Sequence, residues 1–169
     1  KLAILGAGAW GTVLAASFAP WYDTLIWSRD AVQAAGMRAA RENARYLPGC
    51  TLPASLVIES DLARAVDGGD LLLVATPLSG LRATLESLRR LEGNQPLLWA
   101  CKGLEAGSAK LPHQIVAEVL GEGVPCGALT GPSFADEVAR GLPTAITLAS
   151  RDAAFARETA AALHHPRLR

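Results

Sequence analysis

The chain has 169 residues, half of them hydrophobic, enough for one packed core and a small annex. Its 16 basic and 16 acidic residues cancel, which argues against a nucleic-acid or polybasic membrane partner. The longest apolar stretch, around Leu71 to Thr76, is far too short to span a bilayer.

Taken in chain order, strand-like runs alternate with helical patterns, the pattern of a mostly parallel sheet with helices on both faces. Residues 2–5 read as a strand and 10–19 as an Ala-rich helix. A second strand is expected at 24–27 and a polar-faced helix at 30–43, then a third strand at 56–58 after a turn region with Pro48-Gly49 and Pro53. Residues 70–75 read as a fourth strand, apolar at five consecutive positions, as a strand covered on both faces should be, and Thr76-Pro77 ends it. Leu78, Leu81, Leu85 and Leu88 then recur at helical spacing. A fifth strand is expected at 96–100, and Leu111, Ile115, Val119 and Leu120 mark the helix after Gly107. Strands near 127–129 and 145–148 and a helix over 152–163 complete the pattern. No repeat or linker divides the chain, so residues 1–169 read as one domain.

The loop Gly6-Ala7-Gly8-Ala9-Trp10-Gly11 follows the first strand and opens the first helix. A G-x-G-x-x-G match alone is weak, but this context is the one in which it cradles a dinucleotide. Gly6 permits the tight turn, Gly8 a close approach of backbone to phosphate, and Gly11 close packing of helix on strand. The helix start then offers unpaired N–H groups to a pyrophosphate. The plainer reading is a strand-to-helix turn without a ligand. At the end of the second strand the sequence is Trp27-Ser28-Arg29-Asp30, with no acid at Trp27 or Ser28 to bind a ribose 2′-hydroxyl. The hydroxyl of Ser28 and the guanidinium of Arg29 suit a 2′-phosphate, which favours NADP over NAD. Against this, Arg29 would be a solvated residue paired with Asp30.

Two segments in the second half sit at strand ends, where ligands bind in such sheets. One is Trp99-Ala100-Cys101-Lys102-Gly103-Leu104-Glu105; only three of the 16 basic residues are lysines, so Lys102 in a crevice position carries some information. The other is Thr130-Gly131-Pro132-Ser133-Phe134-Ala135-Asp136, in which Ser133 is a candidate helix cap paired with Asp136. The Gly-containing turn offers backbone N–H groups to an anion.

These segments, together with Thr12, Leu25-Ile26-Trp27 and Gly141-Leu142-Pro143-Thr144-Ala145, resemble the bacterial type of NAD(P)-dependent glycerol-3-phosphate dehydrogenase over essentially the whole chain. The resemblance implies a Rossmann-type doubly wound domain followed, in the family, by an all-helical C-terminal domain. It implies that Ala9 and Trp10 contact the pyrophosphate and that Arg29 lies beside the adenosine ribose. Lys102 would touch both cofactor and substrate, Gly131 and Ser133 would bind substrate, and Ala135 would contact the cofactor. The implied reaction moves a hydride between NAD(P)H and C2 of dihydroxyacetone phosphate, giving sn-glycerol 3-phosphate for phospholipid synthesis. The catalytic lysine of the family lies in the helical domain, so no catalytic acid/base is expected within these residues. A homodimer is implied for the full-length enzyme. One departure is the turn Pro20-Trp21-Tyr22-Asp23, where the family usually has a glycine.

Other residues carry less. Cys50, Cys101 and Cys126 show neither metal nor disulfide spacing, which fits a reducing cytoplasm. Cys101 is expected to be a buried strand-end thiol. His113, His164 and His165 read as solvated or helix-end residues, and Asp61, Asp67 and Asp70 as caps or turn residues. The chain opens at Lys1 without a signal-peptide pattern and stops at Pro166-Arg167-Leu168-Arg169, so it is expected to be a fragment of a longer protein. Two other readings stand beside the leading one. The first is the cofactor domain of another NADP dehydrogenase, of the ketopantoate reductase or hydroxyacyl-CoA dehydrogenase type. The second is a non-catalytic nucleotide-sensing module, with no role for Lys102 or Ser133.

Overall fold

Strand β1 (Leu2–Leu5) is buried at all four positions, which follows from its place near the middle of the sheet. Leu2 and Ile4 face one hydrophobic cluster and Ala3 and Leu5 the other, so both sides of the strand must be apolar. The computed structural model describes residues 1–166 and 168–169; Arg167 lies outside the described residues. Around β1 stand β2 (Thr24–Trp27), β5 (Val57–Glu59), β6 (Leu71–Val74), β7 (Leu97–Trp99), β8 (Cys126–Thr130) and β9 (Thr147–Ala149). Their order is β5-β2-β1-β6-β7-β8-β9, with every pair parallel except β8 and β9. This is the doubly wound arrangement expected from the alternating pattern.

Helices cover both faces. Leu14 and Phe18 of α1 (Ala9–Phe18), Ala34 and Met37 of α2 (Ala31–Ala40) and Leu163 of α7 (Ala153–Leu163) join Ile4, Leu73 and Leu98 on one side. On the other, α3 (Leu62–Val66), α4 (Leu78–Arg90) and α5 (Pro112–Leu120) cover Leu5, Leu72, Val74 and Trp99. In α4 the spacing Leu81, Leu85, Leu88 builds the buried stripe that the sequence predicts. Helices α2, α3 and α7 begin at Asp30, Asp61 and Asp152, whose carboxylates each accept from the backbone N–H groups two and three residues on.

Several expectations are corrected. The helix over 30–43 stops at Ala40, because Arg41 adopts a left-handed conformation (φ 50°), and an antiparallel hairpin follows, β3 (Glu42–Asn43) and β4 (Leu47–Thr51). Helix α3, only five residues long, shows no periodicity to read. Ser133 does not cap a helix: α6 (Ala135–Ala139) starts two residues later, with Phe134 at its N-cap and no side-chain bond. Leu111 lies just before α5 and is exposed. His165 is buried at 3% exposure against Phe18 and Trp21, with Ser17 Oγ 3.2 Å from its Nε2, rather than solvated. The turn Pro20-Trp21-Tyr22-Asp23 closes without glycine, because the N–H groups of Trp21 and Tyr22 both donate to the Phe18 carbonyl. Among the described residues no helix is long and apolar enough to cross a membrane.

Candidate functional site

Strand β1 pairs with β2 on one side and β6 on the other, so the chain reverses its direction across the sheet at this point. A crevice opens at the carboxyl ends of the strands there, as the geometry of doubly wound sheets requires. It is a cleft of about 460 Å³, walled by Gly6 to Gly8, the segment Trp27 to Arg29, Thr76 and Pro77 after β6, and Tyr46 of the hairpin.

The glycine loop is shaped for an anion. Gly6 has φ +129°, and a Cβ there would lie 2.9 Å from the Ala75 carbonyl group and the Thr76 nitrogen. A Cβ at Gly11 would sit 1.9 Å from the Gly6 oxygen, so α1 can approach β1 only without a side chain. At Gly8 a Cβ would meet nothing within 4 Å. Among the described residues no acceptor takes the N–H groups of Gly8, Ala9 or Trp10, and no side chain caps the helix. Opposite them, the Thr76 hydroxyl oxygen is buried without a hydrogen-bond partner. Unspent donors on one wall and an unpaired hydroxyl on the other fit a dinucleotide pyrophosphate.

The end of β2 separates two residues that the sequence treats together. Ser28 is 3% exposed and turned inward: its hydroxyl donates to Gln33 Oε1 (2.8 Å) and accepts from the Asp30 N–H (3.2 Å). Arg29 is exposed at the cleft wall and makes no hydrogen bond or ion pair among the described residues. Asp30 is occupied in capping α2 and in a 3.7 Å pair with Arg45, so the alternative Arg29–Asp30 pairing does not form.

The second half brings its candidates together from separate loops. Lys102, exposed after β7, donates to the Gly131 carbonyl at 3.4 Å, a long bond that leaves the rest of its ammonium donors for a ligand. Ser133 follows on the same turn, and Ala135 opens α6 and packs with Trp10 against the Val13, Leu47 and Val138 cluster. The Lys102 loop is tied down by Glu105, whose two oxygens accept from Arg82 Nε and Arg82 Nη2, each at 2.8 Å, and from Ser108. Arg82 and the Ser108 hydroxyl hold the Glu105 carboxyl down to about 2, well below the usual carboxylate range. Burial pushes the Cys101 thiol up to about 11, leaving it protonated and unreactive at neutral pH. A larger hollow, about 610 Å³, lies by His113, Cys126 and Arg151, and none of the candidate residues lines it.

Residues 1–156 match the family described as NAD-dependent glycerol-3-phosphate dehydrogenase N-terminus. This chain belongs to that family. A glycerol-3-phosphate dehydrogenase (NAD(P)+) of Aromatoleum aromaticum is 56% identical over all 169 residues, which cover 52% of that protein. One of Dechloromonas aromatica is also 56% identical, with 51% of it covered. The crystal structure of glycerol-3-phosphate dehydrogenase from Coxiella burnetii superposes with TM-score 0.91 at 36% identity, covering 99% of this chain and 52% of that one. The chain thus spans about half the length of the relatives it matches. The family match sets aside the ketopantoate reductase and hydroxyacyl-CoA dehydrogenase readings.

Sequence reasoning missed four residues at this family's glycine loop. Thr76 occupies a strand end, so the rule that picked Lys102 and Gly131 applies to it equally. Gln33 and Asn43 lie in the stretch 30–43 read as helix and Tyr46 just beyond it, which hid the hairpin that sets Asn43 behind the loop and Tyr46 at the cleft.

Proposed function

We propose that this chain is the cofactor-binding domain of a two-domain glycerol-3-phosphate dehydrogenase, residues 1–169 holding NADPH in preference to NADH and supplying half of the substrate site. The observation that carries this is the convergence of Lys102 and Gly131, 3.4 Å apart on loops 29 residues distant, beside a glycine loop with unspent N–H donors. Gly6, Gly8, Ala9, Trp10 and Gly11 hold the pyrophosphate, and Arg29 faces the 2′-phosphate. The inward hydroxyl of Ser28 supports Gln33. When bound, the nicotinamide supplies the hydride that reaches C2 of dihydroxyacetone phosphate. Lys102, with Gly131 and Ser133, holds the phosphorylated substrate beside it, and Ala135 closes on the cofactor. The proton for the new alkoxide comes from the lysine of the helical domain. A cytoplasmic homodimer feeding phospholipid synthesis is the form that the family resemblance implies for the full-length enzyme.

The test is kinetic. In a full-length enzyme carrying this chain, Lys102→Ala is expected to lower kcat/KM for dihydroxyacetone phosphate by roughly 100-fold or more, the cost of removing one partner of a desolvated charge pair. NADPH affinity should fall far less. This chain alone should bind NADPH without turnover. Near-normal activity of the Lys102→Ala enzyme, or turnover by the chain alone, would overturn the assignment; binding without any Lys102 dependence would favour a nucleotide sensor.

A further inference from the structure

A buried pair of amides lies behind the glycine loop. Asn43, on the first strand of the hairpin, is 1% exposed. Its Nδ2 donates to the Ala7 carbonyl (3.0 Å) and to Thr12 Oγ1 (2.7 Å), which uses both of its donors. Gln33 of α2 donates from Nε2 to the same Ala7 carbonyl (2.8 Å) and to Asn43 Oδ1 (3.3 Å), and its own oxygen accepts from Ser28. The orientation of Asn43 is fixed by its partners, because reversing the amide would set two acceptor oxygens against each other. Two side chains from different elements therefore converge on a single backbone oxygen.

That oxygen belongs to the peptide that joins Ala7 to Gly8. In a trans peptide the C=O and N–H point in opposite directions, so holding the Ala7 carbonyl inward holds the Gly8 N–H outward, into the cleft. Packing at Gly8 gives no such control. A Cβ there would meet nothing within 4 Å, and glycine tolerates a flipped peptide at little cost. A flip would place a carbonyl oxygen where the pyrophosphate must sit.

We infer that Asn43, assisted by Gln33, is a positioning residue for the cofactor: it locks the Ala7–Gly8 peptide so that the Gly8 N–H faces the pyrophosphate. The inference rests on the cofactor reading proposed above. Its mark is selectivity, since only ligands that contain the pyrophosphate feel the loop's peptide direction. A residue that merely stabilised the fold would affect every ligand alike.

The experiment measures Kd of this chain for NADPH, for ADP-ribose and for adenosine 2′-monophosphate, together with the unfolding midpoint. Asn43→Asp sets a carboxylate against the Ala7 oxygen. It should weaken NADPH and ADP-ribose by about tenfold or more, the scale of one lost charge-assisted hydrogen bond, with adenosine 2′-monophosphate nearly unchanged. Gln33→Glu, at a half-buried position that tolerates substitution better, should give a smaller loss with the same selectivity, and it decides the matter if Asn43→Asp does not fold. Equal weakening of all three ligands, or unchanged NADPH affinity in the folded variants, would overturn the role of Asn43 while leaving the cofactor reading intact. Failure of the unsubstituted chain to bind either dinucleotide-derived ligand would overturn that reading, and this inference with it.

Discussion

Arg29 and Ser28 are neighbours in sequence, yet the backbone turns one into the protein and the other into the cleft. Ser28 spends its hydroxyl on Gln33, whereas the Arg29 guanidinium meets no partner among the described residues. A solvated unit-charge pair about 4 Å apart is worth about 1 kcal/mol. A 2′-phosphate carries nearly two negative charges, and Arg29→Glu reverses one positive charge. After screening by salt, the variant should therefore lose about tenfold to 100-fold in NADPH affinity relative to NADH. Competitive titration of the two cofactors checks this. An unchanged ratio would remove Arg29 from cofactor choice. The companion substitution Ser28→Ala should act through Gln33 and hence on both cofactors alike, because its hydroxyl does not face the cleft.

At the scale of elements, the loop after β7 owes its shape to one carboxylate. Glu105 holds Arg82 of α4 in a two-pronged pair, and Arg82 and Lys110 both reach Glu118 of α5. Because folding lowers the pKa of Glu105, its contribution to stability is fully present above its ordinary value of 4.5 and is lost as the pH falls toward about 2. Glu105→Gln should therefore lower the melting temperature at pH 7, and the gap from the unsubstituted chain should close between pH 4.5 and about 2. A gap that persists at the acid end would mean that the carboxylate's charge is not what holds the loop. Amide exchange across 102–110 should quicken in the same variant. The Glu in Lys102-Gly103-Leu104-Glu105 is quoted by the sequence motif, but its partner, 23 residues earlier on α4, is not. Sequence periodicity reveals which face of a helix is apolar, and α4 obeyed it; it does not reveal which charged residue on the other face meets a loop. For the same reason the hairpin escaped notice. Its first strand closes a run rich in Ala and Arg that continues the helical composition, its second carries Pro48-Gly49 and reads as a turn, and the stop at Arg41 depends on a left-handed backbone that no glycine announces. The glycine loop, by contrast, was legible because each of its constraints removes a side chain. A missing Cβ is visible in a sequence, whereas an internal hydrogen bond is not.

For the molecule as a whole, the sheet separates two tasks. Its middle is sealed on both faces, with Leu73 and Leu98 fully buried in one cluster and Leu72 and Val74 in the other, while the cleft lies at the carboxyl ends of the strands. Core and cleft share the strands but few side chains, Ala7, Trp27, Leu62 and Ala75 touching both. Leu98 does not line the cleft, so stability and cofactor affinity should vary largely independently at that position. Leu98→Ala removes a side chain with no exposure and leaves a cavity between the sheet and its helices, which costs about 2–5 kcal/mol. That is a large part of the roughly 5–15 kcal/mol available to a domain, so the midpoint of denaturant unfolding should fall steeply while the slope holds. NADPH at about 100 times its Kd should add about 2.7 kcal/mol to the folded state. If the sheet only presents the loop, that increment is the same in the unsubstituted chain and in Leu98→Ala. A smaller increment in the variant would show that packing at the centre of the sheet reaches the cleft, through the register of β1 between β2 and β6 that sets the distance from the glycine loop to Thr76. Val57→Ala, at the exposed end of the edge strand, supplies the control: it should change neither quantity by more than about 0.5 kcal/mol.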